Sequence, residues 1–150
     1  MRNKSLAFRT IASVLVIVLL IAVRANERVW FPEALIDFFA STRYLTEALP
    51  PLGFTDYFNI AFRFGVNSVL SVILLYLWFD DRSLTRFVIK VYLYFGILFF
   101  LLFLISVWIY HPGDYRFLFY LRRLLIHPVL LFVLIPGIYF VKKSGMKTGK

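Results

Sequence analysis

Arg122 and Arg123 stand side by side in YLRRLLIHPVLLFVLIPGIYF, a stretch apolar enough to cross a bilayer. A charged side chain at the centre of a transmembrane helix costs about 2.5–3.5 kcal/mol on insertion scales, so it asks for a partner or a role. A second apolar stretch carries Arg63 within the series Asn59, Arg63, Asn67, Ser71, whose four-residue spacing places all of them on one helix face. Arg116, Tyr120, Arg123 and His127 form a comparable stripe, from which Arg122 is rotated by about 100°. The chemistry these residues suit is anion binding, because the planar guanidinium fork grips carboxylate or phosphate through paired hydrogen bonds. Arg63, Asn67, Arg122 and Arg123 are therefore the candidate anion- or partner-binding residues. Asn59, Ser71, Tyr120 and His127 are candidates for hydrogen bonds between helices.

Depth strengthens the grouping. Counted from Tyr57 and Phe117, Arg63 and the Arg122/Arg123 pair each lie about 8–9 Å along their helices, at a similar level of the bilayer. The apolar spans contain no Asp or Glu, so the expected anion comes from elsewhere. It is Asp56 or Asp114 from the loops, a phospholipid or polyprenyl-phosphate head group, or an acidic group on another membrane protein. Ordinary alternatives stand beside this reading. Lys90 and Arg122 can snorkel to the interface along their aliphatic stems. His127 can hydrogen-bond to the Leu124 carbonyl that Pro128, lacking an N–H, leaves open. A metal or haem role for His127 finds no support, since His111 is the one other histidine and no carboxylate clusters with either. No metal or other cofactor is expected. Catalysis is not expected either: there is no cysteine, and no Ser/His pair or carboxylate pair that spacing brings together.

The elements that must position these residues are transmembrane helices. Apolar residues make up 61% of the 150, 18 of them Phe, and the mean hydropathy is +0.81, which presents too much apolar surface for a soluble domain. The expected fold is all-α, one integral-membrane four-helix bundle over residues 1–150, with spans at about 6–23, 57–79, 87–110 and 117–141. The first also fits a cleavable signal peptide, although Arg24 beside the cut disfavours that. A net charge of +9 could indicate nucleic acid, but the basic residues gather at span ends, which excludes that partner and leaves membrane lipid. Ten of the seventeen Lys and Arg residues flank the spans on one side, so both termini are expected in the cytoplasm. Residues 24–56 then form the extracytoplasmic loop, with three basic and five acidic residues. Within it Pro32, followed by Leu35, Phe38 and Phe39, suggests a short amphipathic helix in the headgroup region that PPLG at 50–53 ends. Gly65, Ser68 and Ser71 suggest a close-packing seam, and Pro136-Gly137 a kink.

Two blocks, FRFGVNSVLSVILLYLWF at 62–79 and FLFYLRRLLIHPVLLFVLIPGIYF at 117–140, resemble the most recognisable parts of the exosortase F-associated membrane proteins of flavobacteria. Arg63, Asn67, Arg122, Arg123 and Pro128 fit that family's pattern, whereas His127 stands where glutamine is usual. The resemblance implies a multi-pass bacterial inner-membrane protein encoded beside an exosortase, the polytopic cysteine enzyme that processes C-terminal sorting signals. On this reading the chain is a non-enzymatic accessory subunit, and Arg63 with Arg123 docks the exosortase or an acidic sorting signal. The alternative is a membrane protein that binds a lipid or polyprenyl-phosphate head group.

Overall fold

The computed structural model describes residues 2–109 and 115–147, with side chains for 6–41, 43–109, 115–141 and 143. The described residues are helical or irregular, with no strand among them. Helix α1 (Arg2–Ala25) is followed by a short α2 (Glu27–Trp30), then α3 (Ala34–Ala40) and a 3₁₀ turn (Thr42–Leu45). Two long helices come next, α4 (Phe54–Phe79) and α5 (Arg82–Ile109), and then α6 (Arg116–Ile126) and α7 (Val129–Lys147). Three helices are long and apolar enough to cross a membrane, Leu6–Ala25, Phe54–Phe79 and Arg82–Ile109. A fourth crossing exists if α6 and α7, bent by 61° at a short break, count as one span.

That break is written in the sequence. Pro128 disfavours helical backbone in the residue before it, and His127 is extended (φ −103°, ψ 148°). This break stands nine residues before Pro136-Gly137, and α7 continues as helix through Pro136. Helix α4 begins where Gly53 caps it and Asp56 Oδ2 accepts the Gly53 N–H at 2.8 Å. It ends at Asp80, whose left-handed backbone (φ 47°) turns the chain. Asp81 Oδ1 then accepts the N–H groups of Ser83 and Leu84 at 2.9 and 3.1 Å and opens α5. Arg9 of α1 braces this end. Its Nε donates to the Leu77 carbonyl at 2.8 Å and its Nη1 pairs with Asp80 at 2.9 Å, so a cation sits at the negative end of α4.

Helix α4 is the hub, packing on α1, α5 and α6. Of the seam expected at Gly65, Ser68 and Ser71, Ser71 is fully buried, but Gly65 makes no close approach: a Cβ added there meets nothing within 4 Å, whereas one at Gly96 of α5 would lie 2.4 Å from the Phe64 ring. Two apolar clusters result. One joins Leu74 and Leu75 of α4 to Val16, Val88, Tyr92 and Leu131 at the Arg9 end. The other, at the opposite end, joins Ile60, Phe103, Leu118 and Leu125 to Leu35, Phe38 and Phe39 of α3. The amphipathic α3 exists as expected, but its apolar face is buried against protein, with Phe38 edge-on to Tyr115 at 5.7 Å. It ends at Ala40, ten residues before the PPLG turn, where the Ser41 hydroxyl donates to the Asp37 carbonyl at 3.1 Å.

Candidate functional site: an ion-paired junction under a helical cap

Residues 26–53 fold over one end of the bundle as a cap, and polar side chains of α4 and α6 fasten it. Arg63, 1% exposed, projects from the N-terminal half of α4 and donates through Nη2 to Glu27 Oε2. Arg24 at the end of α1 donates to the same oxygen, so two guanidinium groups share one carboxylate. Arg122, 6% exposed, holds Glu33 Oε1 through Nε at 3.1 Å and through Nη2. Aromatic faces complete each seat. Arg63 lies 6.0 Å from the Phe31 ring centroid and Arg122 lies 5.8 Å from that of Phe39.

Neutral groups supply further ties. The Asn59 side chain donates to the Pro32 carbonyl, Asp56 Oδ1 accepts the Ala34 N–H at 2.7 Å, and the Leu49 N–H donates to the Tyr115 hydroxyl at 3.2 Å. Asn67 does a different job. Its Nδ2 donates at 2.9 Å to the Ile126 carbonyl, one of the acceptors that the α6–α7 break leaves open. This supplies a partner at the broken backbone, in place of the expected bond from His127 to the Leu124 carbonyl. His127 Nδ1 is itself buried without a partner. Ser71 donates at 2.7 Å to the Asn67 carbonyl of its own helix. Tyr120 is exposed and edge-on to Phe119.

The two glutamates respond oppositely to their seats. For Glu27, burial raises the carboxyl pKa, but the Arg63 hydrogen bond and the charges of Arg63, Arg24 and Arg122 together outweigh it, leaving the group below its ordinary value. Glu33 is more deeply enclosed. Burial raises it further than the charge and hydrogen bond of Arg122 lower it, and the group ends above its ordinary value. Its Oε2 has no hydrogen-bond partner.

Three expectations change. The anion for Arg63 and Arg122 comes from this chain, from Glu27 and Glu33 rather than from Asp56; Asp114 and His111 lie outside the described residues. The cap folds back onto the bundle, which brings its acids to arginines 36 and 89 residues away. The roles of the arginine pair are exchanged as well. Arg123 is exposed, 6.0 Å from the Phe119 ring centroid, and Arg122 is the buried member. Leu118, Leu121, Leu125 and Ile126 form the buried stripe of α6, and Arg122 falls in its middle. That apolar spacing was a signal in the sequence; the polar stripe through Arg116, Tyr120 and Arg123 marks the exposed face. Finally, Arg63 and Arg123 do not share one carboxylate of this chain: Arg63 is buried and paired with Glu27 beneath the cap, whereas Arg123 is exposed.

Among the described residues no group of His, Asp and Glu could hold a metal ion. Comparison of the chain with protein-family models, with curated proteins and with solved structures gave no match.

Proposed function

We propose that the chain is a non-enzymatic accessory subunit of an exosortase-type protein-sorting system, spanning a bacterial inner membrane with both termini in the cytoplasm and the cap outside. The observation that carries this reading is where the resembling residues fall. Of the five resembling residues, Arg63, Asn67, Arg122 and Pro128 lie where α4, α6, α7 and the cap meet, while Arg123 is exposed beside them, so the two similar blocks gather at one junction. Because Arg63 and Arg122 are buried and ion-paired within the chain, a protein partner engages other surfaces. The regular stripe Leu93, Ile97, Leu101 and Ile105 on α5 is exposed and suits contact with another membrane helix.

The test is purification in mild detergent from cells that carry an exosortase, with mass spectrometry of what co-elutes. An exosortase at fixed stoichiometry, lost on replacing Ile97 and Leu101 by Trp, supports the reading. Sorting that proceeds normally without this chain, together with an eluate free of exosortase, overturns it.

A further inference from the structure

Two cavities meet at the junction. The first is an apolar slot of about 420 Å³ between α1, α4 and α7, with walls that include Ile17, Ile21, Leu74, Trp78 and Leu131. Along α4 it extends from Arg63 to Trp78, about 22 Å at 1.5 Å per residue, most of the thickness of a hydrocarbon core. The second is a recess of about 290 Å³ under the cap, where Arg24, Arg28, Arg122 and Arg123 surround Glu27. Arg24, Ile126 and His127 line both, so the two volumes adjoin.

The charges around the recess do not balance. Arg24, Arg28, Arg122 and Arg123 line it with Glu27 as the one carboxylate of the lining, and Glu27 is shared between Arg24 and Arg63, while Glu33 and Asp37 pair with Arg122 and Arg28 from outside the lining. Among the described residues Arg123 has an aromatic neighbour but no carboxylate. Arg24, Arg28 and Arg123 are also exposed, so an incoming anion can reach them. Independently, Arg63 is 1% exposed, lines the slot at the junction, and keeps Nε and Nη1 without hydrogen-bond partners. Buried guanidinium donors of that kind favour an added acceptor oxygen.

We infer that slot and recess form one binding site for an anionic amphiphile, with its phosphate or carboxylate head among Arg24, Arg28 and Arg123 and its hydrocarbon chain along the slot. The shape assigns each part. A chain alone has no use for the cationic end, and a free anion has none for a 22 Å apolar wall. The inference is independent of the accessory role, since the site requires no second protein.

Native mass spectrometry of the whole chain in a neutral detergent tests it, with dioleoyl phosphatidic acid, oleate and dioleoyl phosphatidylcholine as probes. The expected result is one retained anionic probe per chain, bound at least about tenfold more tightly than phosphatidylcholine. Preference for phosphatidic acid over oleate identifies a phosphate lipid as the source, and the reverse identifies a fatty acid. Arg123→Gln, on an exposed face, weakens the anionic probe while leaving unfolding in lipid-free detergent unchanged. Ile17→Trp, which fills the slot, weakens it through the chain. Equal binding of all three probes, or affinity indifferent to both variants, means annular lipid only and overturns the inference.

Discussion

At Glu27 and Glu33 the same side chain, facing the same partner type, answers to opposite balances of burial and attraction. Glu27, held below its ordinary value near 4.5, contributes stability that is present above that pH and lost as pH falls through its lowered value. Glu33, held above 4.5, binds its proton more tightly folded than unfolded, so its contribution rises as pH falls through its raised value. Acidification from neutrality should therefore raise or hold the melting temperature in detergent while Glu33 protonates, then lower it once Glu27 follows below pH 4.5. Glu33→Gln should abolish the first phase and Glu27→Gln should blunt the second. A melting curve whose pH profile is unchanged in both variants would show that neither pair is coupled to folding.

At the scale of elements, close helix approach is decided at Gly96 rather than at Gly65. Gly96→Ala forces the half-buried Phe64 ring aside, and this overpacking, offset by about 1 kcal/mol of helix propensity, should leave the variant less stable than Gly65→Ala. Gly65→Ala, with open space around its Cβ, should be neutral or mildly stabilising. Thermal unfolding of the two variants side by side checks this. The contrast also marks what could be read beforehand. The apolar runs announced the three long helices, and the four-residue rhythm of Asn59, Arg63 and Asn67 announced a polar face on α4. Helix α3 was legible from Pro32 and its apolar spacing. The break at His127–Pro128 was available too, but the hydropathy of the run masked it, because apolar content says how much chain can lie in lipid and not whether it lies straight.

Over the whole molecule, the pairing of Arg63 with Glu27 and of Arg122 with Glu33 was out of reach of local pattern. No periodicity connects positions in a connector to positions inside distant spans, and Glu27 and Glu33 read as ordinary loop acids until the cap folds back. The orientation proposed above makes a clean prediction because the chain contains no cysteine. In intact cells, Glu47→Cys in the cap should react with a membrane-impermeant maleimide, and Lys143→Cys should react only after permeabilisation. Equal labelling of both positions in intact cells would refute the shared cytoplasmic placement of the termini.

The distance in sequence between the partners of the deepest pair carries a consequence for how the protein is made. Glu27 meets Arg63 as soon as the second long helix has been inserted, but Glu33 must wait for an arginine 89 residues downstream. If the helices are inserted in chain order, the ties from α4, namely Arg63 to Glu27, Asn59 to Pro32 and Asp56 to Ala34, can form before the one from Arg122 to Glu33. A chain that ends before α6 leaves the buried carboxylate of Glu33 without its arginine.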